Sequence, residues 1–197
     1  MLLNRIEYAL VNNPLRALVQ RRFEARRLLR LGGALSGGVA LEMGCGRGVG
    51  VSLILDDFGA ERVDAFDLDP RMVALARKRL HARAEHVRLW VGDAAQVPVP
   101  DATYDAVFDF AIIHHVPGWR RAVAEVHRVL KPGGRFYAEE VLEKFTTHPM
   151  ARRLLDHPAD GRFDSATFAQ ALRDVGLRPL ASETLWQSFA WFVAVKI

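Results

Sequence analysis

LEMGCGRGVG, residues 41–50, lies between an apolar run and a helical one, and its reading decides the fold. Val39–Met43 before it is short and apolar, as a strand buried on both faces should be. Val51, Ile54, Leu55 and Phe58 after it recur at helical spacing. Gly44, Gly46 and Gly48 let the backbone approach a ligand closely and turn sharply into that helix, whose N-terminus offers free N–H groups. Such a βα turn alone fits a dinucleotide, a phosphate or no ligand.

Outward from this turn, strand and helix patterns alternate. Arg62–Asp67, Val87–Val91, Tyr104–Phe110 and Arg135–Val141 read as further strands. Asp69-Pro70 opens a helix carrying Met72, Val73, Ala76 and Leu80 on one side. Trp119, Val123, Val126 and Leu130 mark another, stopped at Lys131-Pro132-Gly133-Gly134. Asp164 or Ser165 begins a helix with Phe168, Leu172 and Val175. Arg178–Thr184 and Ala190–Ile197 read as two last strands, close enough to pair antiparallel. The alternation predicts an α/β, Rossmann-like doubly wound sheet. Ahead of it, Asn13 and Pro14 cap an N-terminal helix whose apolar stripe is Leu15, Leu18, Val19 and Phe23, and LGGALSGG (31–38) closes that extension.

Asp67 ends the second strand, nineteen residues after Gly48, where a carboxylate accepts hydrogen bonds from ribose hydroxyls. Asp69, before Pro70, suits helix capping instead, and Leu68 and Met72 could flank an adenine. A nicotinamide dinucleotide fits less well. The G-x-G-x-x-G pattern would need glycine at Val49, and Glu42 points an anion at the loop. It would repel a pyrophosphate and attract an ammonium, so a cationic nucleoside cofactor is favoured.

Glu42-x-Gly44-x-Gly46-x-Gly48, VDAFDLDP (63–70), VGDAAQVPVPDATYDAVF (91–108), HHV (114–116) and RVLKPGGRF (128–136) occur in order and at spacing that resemble the class I S-adenosylmethionine-dependent methyltransferases. The closest look is to the ubiquinone and menaquinone biosynthesis methyltransferases. The likeness covers residues 39–141 well, 142–197 loosely and 1–35 not at all. It implies one domain with a mostly parallel seven-stranded sheet in the order 3-2-1-4-5-7-6, the last strand antiparallel. It also implies S-adenosylmethionine as cofactor. Glu42, Gly44, Cys45, Gly46 and Gly48 would hold the methionine part, Asp67 the ribose, and Asp93 the adenine amino group beside the Ala94 backbone. Asp109 and Phe110 would line the methionine side and face the acceptor. A sulfonium donor is already activated, so alignment and water exclusion are the main tasks. His114 and His115 are candidates if a base is needed, although fixing the loop explains them equally well. Glu139, Glu140, His148 and His157 fall on the acceptor side, and none stands out.

The 197 residues, half of them apolar, fit a single globular domain. No run is long enough to span a membrane and the start lacks a secretory pattern. Cys45, the sole cysteine, excludes an internal disulfide and a cysteine-based metal site; no histidine has metal-ligand spacing. A cytoplasmic location follows. Net charge is +4, yet seven arginines against Glu7 and Glu24 give residues 1–35 alone +5. That basic helix predicts either a solvated face or contact with an anionic membrane through residues 1–30, which would suit a lipid-like or quinone-like small-molecule acceptor. Nucleic acid is disfavoured. Asp109-Phe110-Ala111-Ile112 stands where base-amino methylation uses a Pro-Pro-aromatic stretch, and Cys45 lies in the cofactor loop rather than at a pyrimidine nucleophile's place. RNA ribose or protein methylation, or a non-catalytic cofactor-binding partner protein, are the alternatives.

Overall fold

In this computed structural model, which describes residues 13–148 and 162–197, seven strands form one sheet. Its order is β3-β2-β1-β4-β5-β7-β6. The strands are β1 (Val39–Met43), β2 (Arg62–Asp67), β3 (Val87–Val91), β4 (Tyr104–Phe110), β5 (Leu130–Val141), β6 (Leu177–Leu185) and β7 (Phe189–Lys196). Only β7 runs antiparallel to its neighbours, β5 and β6. This is the order expected from the sequence motifs. β5 begins five residues ahead of the predicted Arg135. The Pro-Gly-Gly stretch does stop the preceding helix, but the chain continues extended, so that Leu130 pairs with Tyr104 across a register shift.

Six helices cover the sheet among the described residues. α1 is built of three consecutive pieces, Pro14–Val19, a π-helical Gln20–Glu24 and Ala25–Gly32. α2 is Val49–Asp56, α3 Pro70–Arg79, α4 Trp119–Val129, α5 Glu143–Thr146 and α6 Ser165–Asp174. Strand alternation divides the core in two. Leu41, Val107, Phe136 and Phe192 face α4 and α6, meeting Trp119, Val126 and Phe168. Ala40, Phe108, Tyr137 and Trp191 face α1, α2 and α3, meeting Leu28, Ile54 and Ala76. The helix starts follow their cap residues, since Asn13, Asp69 and Asp164 each accept a backbone N–H of the first turn.

The C-terminal part of α1 is pinned to the sheet. Tyr137 donates its hydroxyl proton to the Gly33 carbonyl at 2.9 Å, and Arg135 donates to that of Gly32 at 2.7 Å. A Cβ on Gly32 would stand 2.4 Å from the Tyr137 ring, so only glycine lets the helix end lie this close. Arg30 adds a bond to Glu183 at 2.6 Å. The N-terminal half is thereby held over the carboxyl ends of the strands. Its predicted apolar stripe is not a core face. Leu15, Leu18 and Phe23 are 67%, 55% and 64% exposed, whereas Ala25, Leu28 and Glu24 are the buried residues.

Candidate functional site

β1 is hydrogen-bonded to β2 on one side and to β4 on the other, so the chain reverses its winding between β1 and β4. At the carboxyl ends of these strands, where α/β sheets open their crevices, lies a cavity of about 890 Å³. Glu42, Gly44, Cys45, Gly46, Asp67, Leu68, Met72, Asp93, Ala94 and Phe110 all line it, and so do His114 and His115. Gly48 and Asp109 do not. Gly48 instead takes the left-handed conformation at φ 81° that starts α2, facing Leu80 and Ala76. Asp109 is fully buried behind the wall.

Each carboxylate is placed by backbone. Asp67 accepts the Gly46 N–H and the Asp69 N–H, both at 2.9 Å, which ties the glycine loop to the end of β2. Its pKa is raised, chiefly by burial. Glu42 points from β1 against the first turn of α2, where Gly50 has no side chain to block it. Burial first, and then the nearby Asp67, raises Glu42 well above the ordinary carboxylate range. Its Oε2 is buried with no partner among the described residues. Asp93 caps a tight turn by accepting the Ala95 N–H at 2.8 Å and still borders the cavity. Burial also raises the Cys45 thiol, which keeps it un-ionised in the loop.

After β4 the chain turns through Ala111 in the left-handed region, φ 64°, a strained conformation for a residue with a Cβ. The Ala111 N–H bonds to the Glu139 carbonyl and the Ile112 N–H to Asp109, each at 2.9 Å. This turn brings His114 into the cavity wall. Its Nδ1 lies 2.7 Å from Glu140 Oε2, and Glu140 also accepts the Ile113 and His114 N–H groups. With Glu140 ionised, neutral His114 is held with Nδ1 as donor and Nε2 as acceptor. His115 packs on its ring at 4.1 Å.

Asp109 and Glu140 are both fully buried and close enough to share a proton. Burial pushes Glu140 up to about 7. Between the ordinary value near 4.5 and about 7, the native state therefore keeps a proton the unfolded chain has lost. Stability should fall as pH rises through that window, by up to about 1.4 kcal/mol per unit for one group. We expect the thermal midpoint of the protein alone to drop from pH 5 to pH 7.5, and Glu140→Gln to remove part of that slope. Equal slopes for the two proteins would contradict the pairing.

The cavity extends beyond the predicted residues. Arg16, Val19, Gln20, Phe23, Glu24 and Arg27 of α1 form one side, and Glu139, Val141, Phe145, Leu185, Phe189 and Trp191 continue it over β5, α5, β6 and β7. The sequence pattern gives Glu139 only as one of several acceptor-side residues and does not single out Glu24. Nothing in a strand's alternation shows that one inward position carries a buried carboxyl. His148 lies just after α5 and is not among the lining residues, and His157 falls outside the described residues.

The family model for a methyltransferase domain matches residues 41–138, about half of the chain. A probable S-adenosylmethionine-dependent methyltransferase of Mycolicibacterium smegmatis is 40% identical over 109 residues, covering 54% of this chain and 39% of that protein. The demethylmenaquinone methyltransferase of Thermus thermophilus is 40% identical over 82 residues, 42% of this chain and 37% of its own. The chain thus spans less than half the length of these curated relatives. Among solved structures, the complex between the Haloferax volcanii Trm112 methyltransferase activator and a methyltransferase superposes with a TM-score of 0.78 at 21% identity, over 98% of this chain and 99% of that one. That likeness carries the fold. Sheet order, matched domain and related sequences agree: the chain belongs to the class I S-adenosylmethionine-dependent methyltransferases.

Proposed function

We propose that this chain transfers a methyl group from S-adenosylmethionine to a small acceptor with a largely apolar body, lipid-like or resembling a quinone precursor. The observation that carries this is one continuous cavity with two characters. Glu42, Asp67 and Asp93 line one part, and Val19, Phe23, Phe145, Leu185, Phe189 and Trp191 line the other. The first part fits the cofactor. The unpartnered Oε2 of Glu42 suits an ammonium, and the remaining lone pairs of Asp67 suit ribose hydroxyls. Asp93 has one oxygen left for an adenine amino group beside Ala94, with Leu68 and Met72 flanking the base and Gly44, Cys45 and Gly46 lying under the methionine part.

When bound, the cofactor supplies a methyl group on a positively charged sulfur. The protein's own work is alignment and exclusion of water. Phe110 faces the acceptor, and α1 with Phe23 roofs it. Where the acceptor must lose a proton, His114 takes it at Nε2, with Glu140 orienting the ring. Relatives named for fatty-acid O-methylation and demethylmenaquinone methylation support an apolar acceptor class. The test is transfer of labelled methyl from S-adenosylmethionine to a panel of apolar acceptors, read by mass spectrometry. Methylated product from this class supports the reading; turnover of polar acceptors alone would overturn the acceptor assignment.

The exposed Leu15, Leu18 and Phe23 beside the exposed Arg21, Arg22 and Arg26 support contact of α1 with an anionic membrane by a cytoplasmic enzyme. No helix among the described residues is long and apolar enough to cross one. The rest of the predicted contact segment, residues 1–12, including Arg5, lies outside the described residues. We expect co-sedimentation with anionic but not neutral vesicles, reduced at least about fivefold by Leu15→Glu with Leu18→Glu. Equal recovery with both vesicle types would count against it.

A further inference from the structure

We propose that Glu139, together with Glu24, recognises a basic nitrogen, so that the acceptors are apolar amines rather than alcohols or carboxylic acids. The proposal rests on the reading of the cavity as a joint cofactor and acceptor site and, within the apolar class, selects lipid-like amines over fatty acids and quinone precursors. Glu139 lies on β5 between Phe110 of β4 and Trp191 of β7, its partners in the sheet. It lines the cavity, yet it is only 4% exposed, and its Oε2 has no hydrogen-bond partner among the described residues. Such an atom loses its hydration on folding and recovers nothing until a donor reaches it.

The nearest charges set what that donor can be. Glu24, 7% exposed, brings a like charge down from α1, and its own charge is met by Arg16. Arg27, the other guanidinium on this wall, is paired with Glu183 and stacked on Trp191. Burial and then the Glu24 carboxylate raise Glu139 well above its ordinary value; Arg16 works against them, and Asp109 adds to the rise. An acceptor carboxylate here would meet like charge in a poorly solvated pocket. A hydroxyl offers one donor and no charge. A protonated nitrogen offers several donors and lets Glu139 ionise against it. The rings around it favour the same ligand. Arg27 already sits 4.4 Å from the Trp191 ring centroid, and Phe145 and Phe189 stand at 5.2 Å from each other on the same wall.

The test uses the full chain saturated with S-adenosylhomocysteine and three probes that differ only in head group: 4-phenylbutylamine, 4-phenylbutanol and 4-phenylbutyrate. By calorimetry the amine should bind at least about tenfold more tightly than either of the others. Glu139→Gln should erase that preference while S-adenosylhomocysteine affinity stays as in the wild type. If Glu139→Gln fails to fold, Glu24→Gln should reduce the preference instead. No preference for the amine, including no detectable binding of any probe, would overturn the proposal. So would a preference that survives the substitutions. Failure of S-adenosylhomocysteine to bind the wild type would overturn the cofactor reading itself, and this inference with it.

Discussion

Asp67→Ala should lower the affinity for S-adenosylhomocysteine by at least about a hundredfold while leaving the protein folded. The side chain has two duties that fail together. It accepts the Gly46 and Asp69 N–H groups, and its remaining lone pairs are those assigned to the ribose. Hydrogen bonds to a charged group contribute about 1.5–3 kcal/mol each, and losing two corresponds to two or more orders of magnitude in binding. The fold should survive, because the alanine leaves neither an unpaired charge nor a cavity in the packed core, and Asp67 is only partly buried. Asp67→Asn should fall between the two, since the amide keeps one acceptor oxygen. Titration calorimetry with a thermal melt of each variant checks this. A loss below about threefold for the alanine variant would remove Asp67 from the site.

Gly50→Ala should cost binding for a different reason. Gly50 lies in the first turn of α2 with ordinary helical backbone, so alanine there gains helix propensity of about 1 kcal/mol. Space decides against it. The added Cβ would stand 1.9 Å from Glu42 Oε1, 2.7 Å from its carboxyl carbon and 2.9 Å from the Phe110 ring. Glu42 projects from a buried strand and cannot retreat, so its carboxyl must swing into the cavity where the cofactor's amino group is assigned. Overpacking of this kind costs about 1–3 kcal/mol, and we expect a drop in S-adenosylmethionine affinity of about thirtyfold. Gly46→Ala is the informative control. Nothing lies within 4 Å of its Cβ, but φ is +50°. Strain alone should cost about 1 kcal/mol there, with a smaller effect on binding. A Gly46 variant worse than the Gly50 variant would contradict the steric account.

These residues also show what the sequence could and could not disclose. The strands were legible because a doubly wound sheet needs short apolar runs separated by helical spacing, and Val39–Met43, Arg62–Asp67, Val87–Val91 and Tyr104–Phe110 have those bounds. Asp67 was legible because the end of the second strand is fixed relative to the glycine loop by chain length alone. α1 was not. Leu15, Leu18, Val19 and Phe23 have a helical apolar spacing, but the face that lies down is set by tertiary bonds from Tyr137 and Arg135 to the helix end. Periodicity cannot register those bonds. Glu24 and Glu139 escaped for a related reason. Their buried state depends on a helix and two strands meeting, and each alone reads as an ordinary surface glutamate. Gly48 and Asp109 carried the motif's spacing, yet the first faces α3 and the second lies behind the cavity wall with Glu140.

The central claim is that this cavity holds S-adenosylmethionine. Its most direct measurement is calorimetric titration of the wild-type chain with S-adenosylhomocysteine, and separately with NAD⁺, under one buffer condition. The account predicts one-to-one binding of S-adenosylhomocysteine in the micromolar range and no heat from the dinucleotide, whose pyrophosphate would meet the Glu42 carboxyl. A well-folded protein that ignores S-adenosylhomocysteine, or one that prefers NAD⁺, would contradict it.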